Sequence, residues 1–128
     1  MSTNKARGLA DQVVSAINAR DHSQIDKLTT DNVQLRLPPD QVFFGRQGVR
    51  DFVDVLEDRL PEATMVARKV HAGDDFAVVE YDINSTTRAG HQVEGMGAVV
   101  LELDAGRIDR VQVYLDTAQW AQIAEGSV

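Results

Sequence analysis

The chain contains no cysteine, which excludes a disulfide framework, a thiolate metal site and a thiol nucleophile and leaves the redox compartment open. No apolar run approaches the ~20 residues that a membrane-crossing helix needs. The opening Met1-Ser2-Thr3-Asn4-Lys5-Ala6-Arg7 lacks the apolar core of a secretion signal, so the expectation is a cytoplasmic protein without a membrane partner. Positive charge is also scarce: 13 Lys and Arg face 20 Asp and Glu, for a formal net charge of -7. With no Lys/Arg cluster to offset that balance locally, phosphate backbones are repelled and nucleic acid is not expected as a partner.

What remains is enough for one domain. The 128 residues are 43% hydrophobic, and a chain of this length buries about two thirds of its unfolded surface without covalent staples. No internal repeat, linker or low-complexity tract divides it, and the expected domain is 1–128.

Leu9, Val13, Ala16 and Ile17 repeat at i, i+4, i+7 and i+8, the spacing of one helical face, and predict a helix over 6–18. Ser23 with Asp26 three residues later reads as a first-turn cap of a short second helix carrying Ile25 and Leu28. Val33, Leu35 and Leu37 alternate with Gln34 and Arg36 as a half-buried strand, which Pro38-Pro39 must end. After Phe43-Phe44-Gly45, the positions Val49, Phe52, Val53, Leu56 and Leu60 form the apolar stripe of a surface helix that stops near Pro61. Strands follow at 64–71, 75–84, 91–103 and 107–115, and Gly73-Asp74 and Asp104-Ala105-Gly106 supply antiparallel turns. Thr117 to Ala124 is a last short helix, with Asp116 and Gln119 spaced as its capping box. Helices first and hairpin-linked strands afterwards give an α+β domain with its helices across one face of a curved sheet.

Three segments in this order carry a family resemblance: Val13-Val14-Ser15-Ala16-Ile17-Asn18-Ala19-Arg20-Asp21, then Phe44-Gly45 with Val49 and Phe52, then Gly106-Arg107-Ile108 with Tyr114-Leu115-Asp116. Over roughly residues 6–122 the chain resembles the SnoaL-like branch of the nuclear transport factor two-like superfamily. The resemblance implies a cone of mostly antiparallel sheet wrapped around helices, with an apolar pocket. It implies no single reaction, since isomerases, polyketide cyclases, epoxide hydrolases, dehydratases and non-catalytic proteins share the fold.

Chemistry in such a cone depends on a carboxylate whose pKa is raised by apolar walls until it trades protons near neutral pH. Where ketosteroid isomerases of this superfamily carry a base and two oxyanion donors, this chain has Leu37, Ala16 and Ala98. Where cyclases and epoxide hydrolases keep an acid on the last strand, it has Val113. Of the epoxide hydrolases' Arg-x-Asp pair it keeps the Asp, in Glu80-Tyr81-Asp82, without the Arg.

Two readings of the acids stay open. If the strands keep the facing implied by the resemblance, Glu80, Asp82 and Glu94 look into the cone as the catalytic acids. Plain alternation instead makes Ala77, Val79, Tyr81 and Ile83 the buried face and puts Glu80 and Asp82 in solvent. His71 shares their face in the hairpin, whereas His22 and His91 are expected in solvent. No histidine pair has ligand spacing, so neither a metal nor another cofactor is expected.

Gly95-Met96-Gly97 does not lead a strand into a helix and cannot cradle a phosphate. Asp116 reads as a helix cap. Expected pocket walls are Leu37, Phe44, Phe52, Met65, His71, Met96, Ala98, Val113 and Trp120. Arg110 and Tyr114 take the opposite parity, on an outer face suited to a homodimer. Two functions follow: a cofactor-independent acid/base enzyme acting on a hydrophobic carbonyl compound by isomerisation, cyclisation or dehydration, or a binding module that kept the cone and lost the acids.

Overall fold

Ten elements follow one another in the computed structural model, which describes residues 2–125. The outermost ends of the expected 1–128 domain, Met1 and 126–128, lie outside the described residues. Helix α1 spans Ser2–Ala19, α2 His22–Leu28, α3 Gly45–Arg59 and α4 Thr117–Glu125. The strands are β1 Thr29–Leu37, β2 Gln41–Phe44, β3 Thr64–Ala72, β4 Phe76–Thr86, β5 Gln92–Asp104 and β6 Arg107–Tyr114.

The apolar stripes predict which helix faces are buried. Leu9 and Ala16 of α1, and Val49, Phe52 and Val53 of α3, pack with the inner sheet residues in the main core, while Leu56 packs with Leu60, Val93 and Ile123 in a smaller cluster. Helix α2 starts two positions earlier than its sequence cap suggests. Asp21, not Ser23, is its N-cap, accepting from the Gln24 N–H at 3.0 Å. At the end of α1, Arg20 takes a left-handed conformation with φ 54°. Its guanidinium donates to the carbonyls of Ile17, Leu60 and Ala63, which joins the C-terminal end of α1 to the segment that follows α3.

The sheet order is β2-β1-β6-β5-β4-β3. The last four strands form the expected antiparallel meander, but β1 lies parallel to β6. The sheet is therefore mixed, and it is not closed. The β5–β6 turn places Ala105 and Gly106 at φ 50° and 81°, the pair of positive values that a two-residue hairpin of this hand requires. Strand β2 is not anticipated by the sequence reading. It is four residues long and pairs antiparallel with β1, and a run that short carries too little alternation to register.

Register determines what each face presents. Ala77, Val79, Tyr81 and Ile83 stand opposite Leu101, Val99, Gly97 and Gly95, and Val99 and Leu101 stand opposite Val113 and Val111. These odd-numbered positions form the inner face against the helices. The even-numbered Glu80, Asp82, Met96, Ala98 and Tyr114 form the outer face.

Candidate functional site

Between the inner sheet face and the helices lies a cavity of about 120 Å³. Helix α1 contributes Val13 and Ile17, α3 contributes Phe52 and Leu56, and the sheet contributes Val79, Val99 and Val113. At the end where β6 stops, α4 closes the space with Trp120, whose ring lies 6.1 Å from that of Phe52, and Ile123.

Few polar groups border it. Thr29 Oγ1 donates to the Ile25 carbonyl at 3.0 Å. Asp116 Oδ1 accepts from the Gln119 N–H at 3.0 Å, which makes it the expected cap of α4. The Gln119 side chain does not complete a reciprocal capping box; its Nε2 donates to the Glu94 carbonyl at 3.1 Å. Tyr81, a residue only 5% exposed, borders both this cavity and a groove on the outer face, with its hydroxyl beside Gly97 and the Tyr114 carbonyl. Burial pushes its pKa up to about 12, because the charged phenolate is the form that desolvation penalises.

The structure separates the expected site residues into two groups. Phe52, Met65, Val113 and Trp120 border the cavity, and Met96, 72% exposed on the outer face, borders both it and the outer-face groove. Leu37, Phe44, His71 and Ala98 do not, and their expected places on the wall are corrected. Leu37 is sealed into the core at 1% exposure. Phe44 is the last residue of an edge strand and is 67% exposed, while its neighbour Phe43 turns inward to stack edge-on against Phe52 at 5.6 Å. Ala98 lies in a shallow groove across the outer face, together with Arg68, Lys69, Glu80 and Tyr114.

The three acids are also outside the cavity, so the facing implied by the resemblance gives way to simple alternation. Glu80 is on the outer face, with its Oε2 2.7 Å from His71 Nε2. The hydrogen bond from His71 holds its carboxyl below the usual range; desolvation opposes this, and the charges of His71, Lys69 and Arg68 reinforce it. That is the reverse of what a general acid near neutral pH requires. Asp82 accepts from Arg68 Nη1 at 3.4 Å on the same face. Glu94 is exposed, and its contribution near the cavity mouth is the main-chain carbonyl held by Gln119.

His22 lies against Asp54 at 3.1 Å, and the main chain of His91 closes the β4–β5 hairpin with Thr87. Among the described residues no three His, Asp or Glu side chains gather as metal ligands. No described helix is long and apolar enough to cross a membrane. Arg110 and Tyr114 are on the outer face, Arg110 3.6 Å from Glu102. The sequence reading missed Tyr81 as a residue bordering the site, because alternation counts tyrosine with the apolar residues. The signal that could have found it is Gly97, directly across the ladder.

No curated protein matches this sequence. Among solved structures, a polyketide cyclase so named from Xanthomonas campestris pv. campestris superposes with a TM-score of 0.87 at 19% identity, covering 96% of this chain and 99% of that one. An LEH-like epoxide hydrolase of M. tuberculosis gives 0.79 at 15% identity, covering 98% of this chain and 93% of that one. TerC co-crystallised with polyporic acid gives 0.83 at 16% identity, covering 94% and 98%. At these identities the likeness is one of fold. The model of the SnoaL-like domain matches residues 10–111, so the chain belongs to the SnoaL-like domain family, within the nuclear transport factor two-like fold.

Proposed function

We propose that this protein is a binding module for a small, largely apolar molecule held in the cavity between the sheet and the helices. One observation carries the reading. The cavity wall is almost wholly hydrocarbon, and its one carboxylate, Asp116, is engaged as the cap of α4. Pockets of this composition gain affinity from apolar burial and orientation from very few polar groups. TerC, a protein of the same fold, was crystallised with polyporic acid, which supports occupation by a small molecule. The reading calls for no cofactor, and Glu80, Asp82 and Glu94 serve it as outer-face residues, not catalysts.

Size bounds the ligand. The cavity is about 120 Å³, and an apolar void of about 150 Å³ accommodates benzene, so one ring is the scale. The test uses Trp120, the only tryptophan, as the reporter. Titration with ethylbenzene is expected to change its fluorescence saturably, with the ligand recovered unaltered after long incubation. A linear, non-saturating response overturns the reading. Conversion of a one-ring ketone that Asp82→Asn abolishes would replace it with the acid/base enzyme.

The same reading gives the outer face to a second copy of the chain. Val66, Met96 and Tyr114 are exposed there, and Arg68, Lys69 and Arg110 are interspersed with Glu80, Asp82 and Glu102. A two-fold axis would bring such a mixed face against its own complement. Sedimentation equilibrium is expected to show a dimer that Tyr114→Glu dissociates; a monomeric wild type rejects it.

A further inference from the structure

We infer that α4 is a lid over the cavity and that the Gln119 side chain is the latch that holds it shut, so that a ligand enters through the seam between α4 and β5. This rests on the binding reading above and adds to it the route of entry and its control.

The seam exists because β6 ends before β5 does. The last pair between them is Tyr114 with Ala98, and over Val93 to Gly97 β5 is paired with β4 alone among the described strands. On the side that β6 has left, Gln119 Nε2 donates to the Glu94 carbonyl at 3.1 Å, taking the place of a neighbouring strand. The carboxamide crosses Gly95 to do so. A β-carbon on Gly95 would stand 2.9 Å from Gln119 Oε1, closer than such atoms pack, so the missing side chain is the seat of the latch. A glycine inside a strand weakens it and marks a place where another segment approaches closely.

The other helical walls are fastened by stronger ties. Helix α1 is joined to β3 by Asn18 and Arg7 and to the segment after α3 by Arg20. Helix α3 is joined to β1 by Arg46, which reaches Asp31 and the Thr29 carbonyl, and to α2 by the ion pair of Arg50 with Asp26. Helix α4 is held by the neutral Gln119 hydrogen bond and by apolar contacts, Trp120 against Phe52 and Ile123 among Leu56, Leu60 and Val93. An apolar ligand can replace such contacts in kind as it passes; it cannot replace an ion pair. Trp120 and Ile123 are themselves cavity walls, so lifting α4 about the short Leu115-Asp116 joint after β6 opens the cavity directly, the gating expected of a lid.

The test follows Trp120 fluorescence in stopped flow as ethylbenzene is mixed with the wild type, Gln119→Ala and Gly95→Ala. Loss of one neutral hydrogen bond shifts the opening equilibrium by up to about tenfold, and association is expected to be faster by about that factor in Gln119→Ala. Gly95→Ala displaces the latch without altering α4 and is expected to act in the same direction. Hydrogen exchange supplies a readout that general loosening of the fold would not give: the amides of Trp120 and Ile123 should exchange faster in both variants while those of Val79 and Val99 keep their wild-type protection. Association at the wild-type rate in either variant, or faster exchange across the sheet as well as in α4, overturns the inference and leaves the binding reading standing. Absence of a saturable fluorescence change in the wild type removes the binding reading, and the lid with it.

Discussion

Asn18 and Met65 exchange two hydrogen bonds: the Asn18 amide donates to the Met65 carbonyl at 2.9 Å, and the Met65 N–H donates to Asn18 Oδ1 at 2.8 Å. β3 is an edge strand, and a residue of an antiparallel strand sends its N–H and carbonyl to the same side. Asn18 thus satisfies both outward groups of Met65, and Arg7 satisfies the Val70 carbonyl further along the same edge at 2.9 Å. Helix α1 covers an edge that would otherwise be open to another chain.

Asn18→Ala leaves both Met65 groups without a protein partner in a half-buried place. The expected loss is about 1–3 kcal/mol of stability, measured by urea denaturation, with faster hydrogen exchange at the Met65 amide. Unchanged exchange would show that the edge does not depend on this side chain.

Tyr81 makes stability fall at alkaline pH. Its folded pKa of about 12 lies above the ordinary value of 10, so the group's contribution is fully present below pH 10 and is lost as the pH rises towards 12. Denaturation curves across that range should show a loss that Tyr81→Phe removes. An identical alkaline slope in the variant would place the titration elsewhere.

Placing an acid inside tests how apolar the cavity is. Val113 is 6% exposed on its wall, and the carboxyl of Val113→Asp should be pushed up by desolvation. A raised pKa means that the folded state holds its proton longer. The variant's deficit against the wild type should therefore grow as the pH rises from the ordinary aspartate value, then level off above the raised one. A deficit independent of pH would show water reaching the site freely.

On the outer face the sign is opposite. The Glu80 carboxyl is held below its ordinary value of 4.5, chiefly by the hydrogen bond from His71, so whatever it contributes is present above that value and is lost as the pH falls below it. Both side chains are half exposed, and the effect on stability is small. The informative measurement is the Glu80 carboxyl shift by NMR. His71→Ala should return its midpoint to the ordinary glutamate range.

Much of this architecture was legible from local pattern. The 3.6-residue spacing in α1 and α3 and the two-residue spacing in β3 to β6 follow from where side chains point on each element, and the three family segments fall where the fold needs them. The same two-residue rule placed Glu80 and Asp82 outside, and the structure agrees with it over the facing carried by the resemblance. Facing depends on register, and one residue of shift reverses it.

Local pattern alone determined that this chain is an α+β domain with an acid-poor inner surface, because apolar periodicity is written in neighbouring residues. Only the tertiary structure decided that β1 runs parallel to β6, that Phe43 turns inward where Phe44 was expected, and that the Tyr81 ring lies across Gly97. Those outcomes come from contacts between residues far apart in the chain, where pairing register and the space left by a neighbour, not the identity of the adjacent residue, set what each side chain meets.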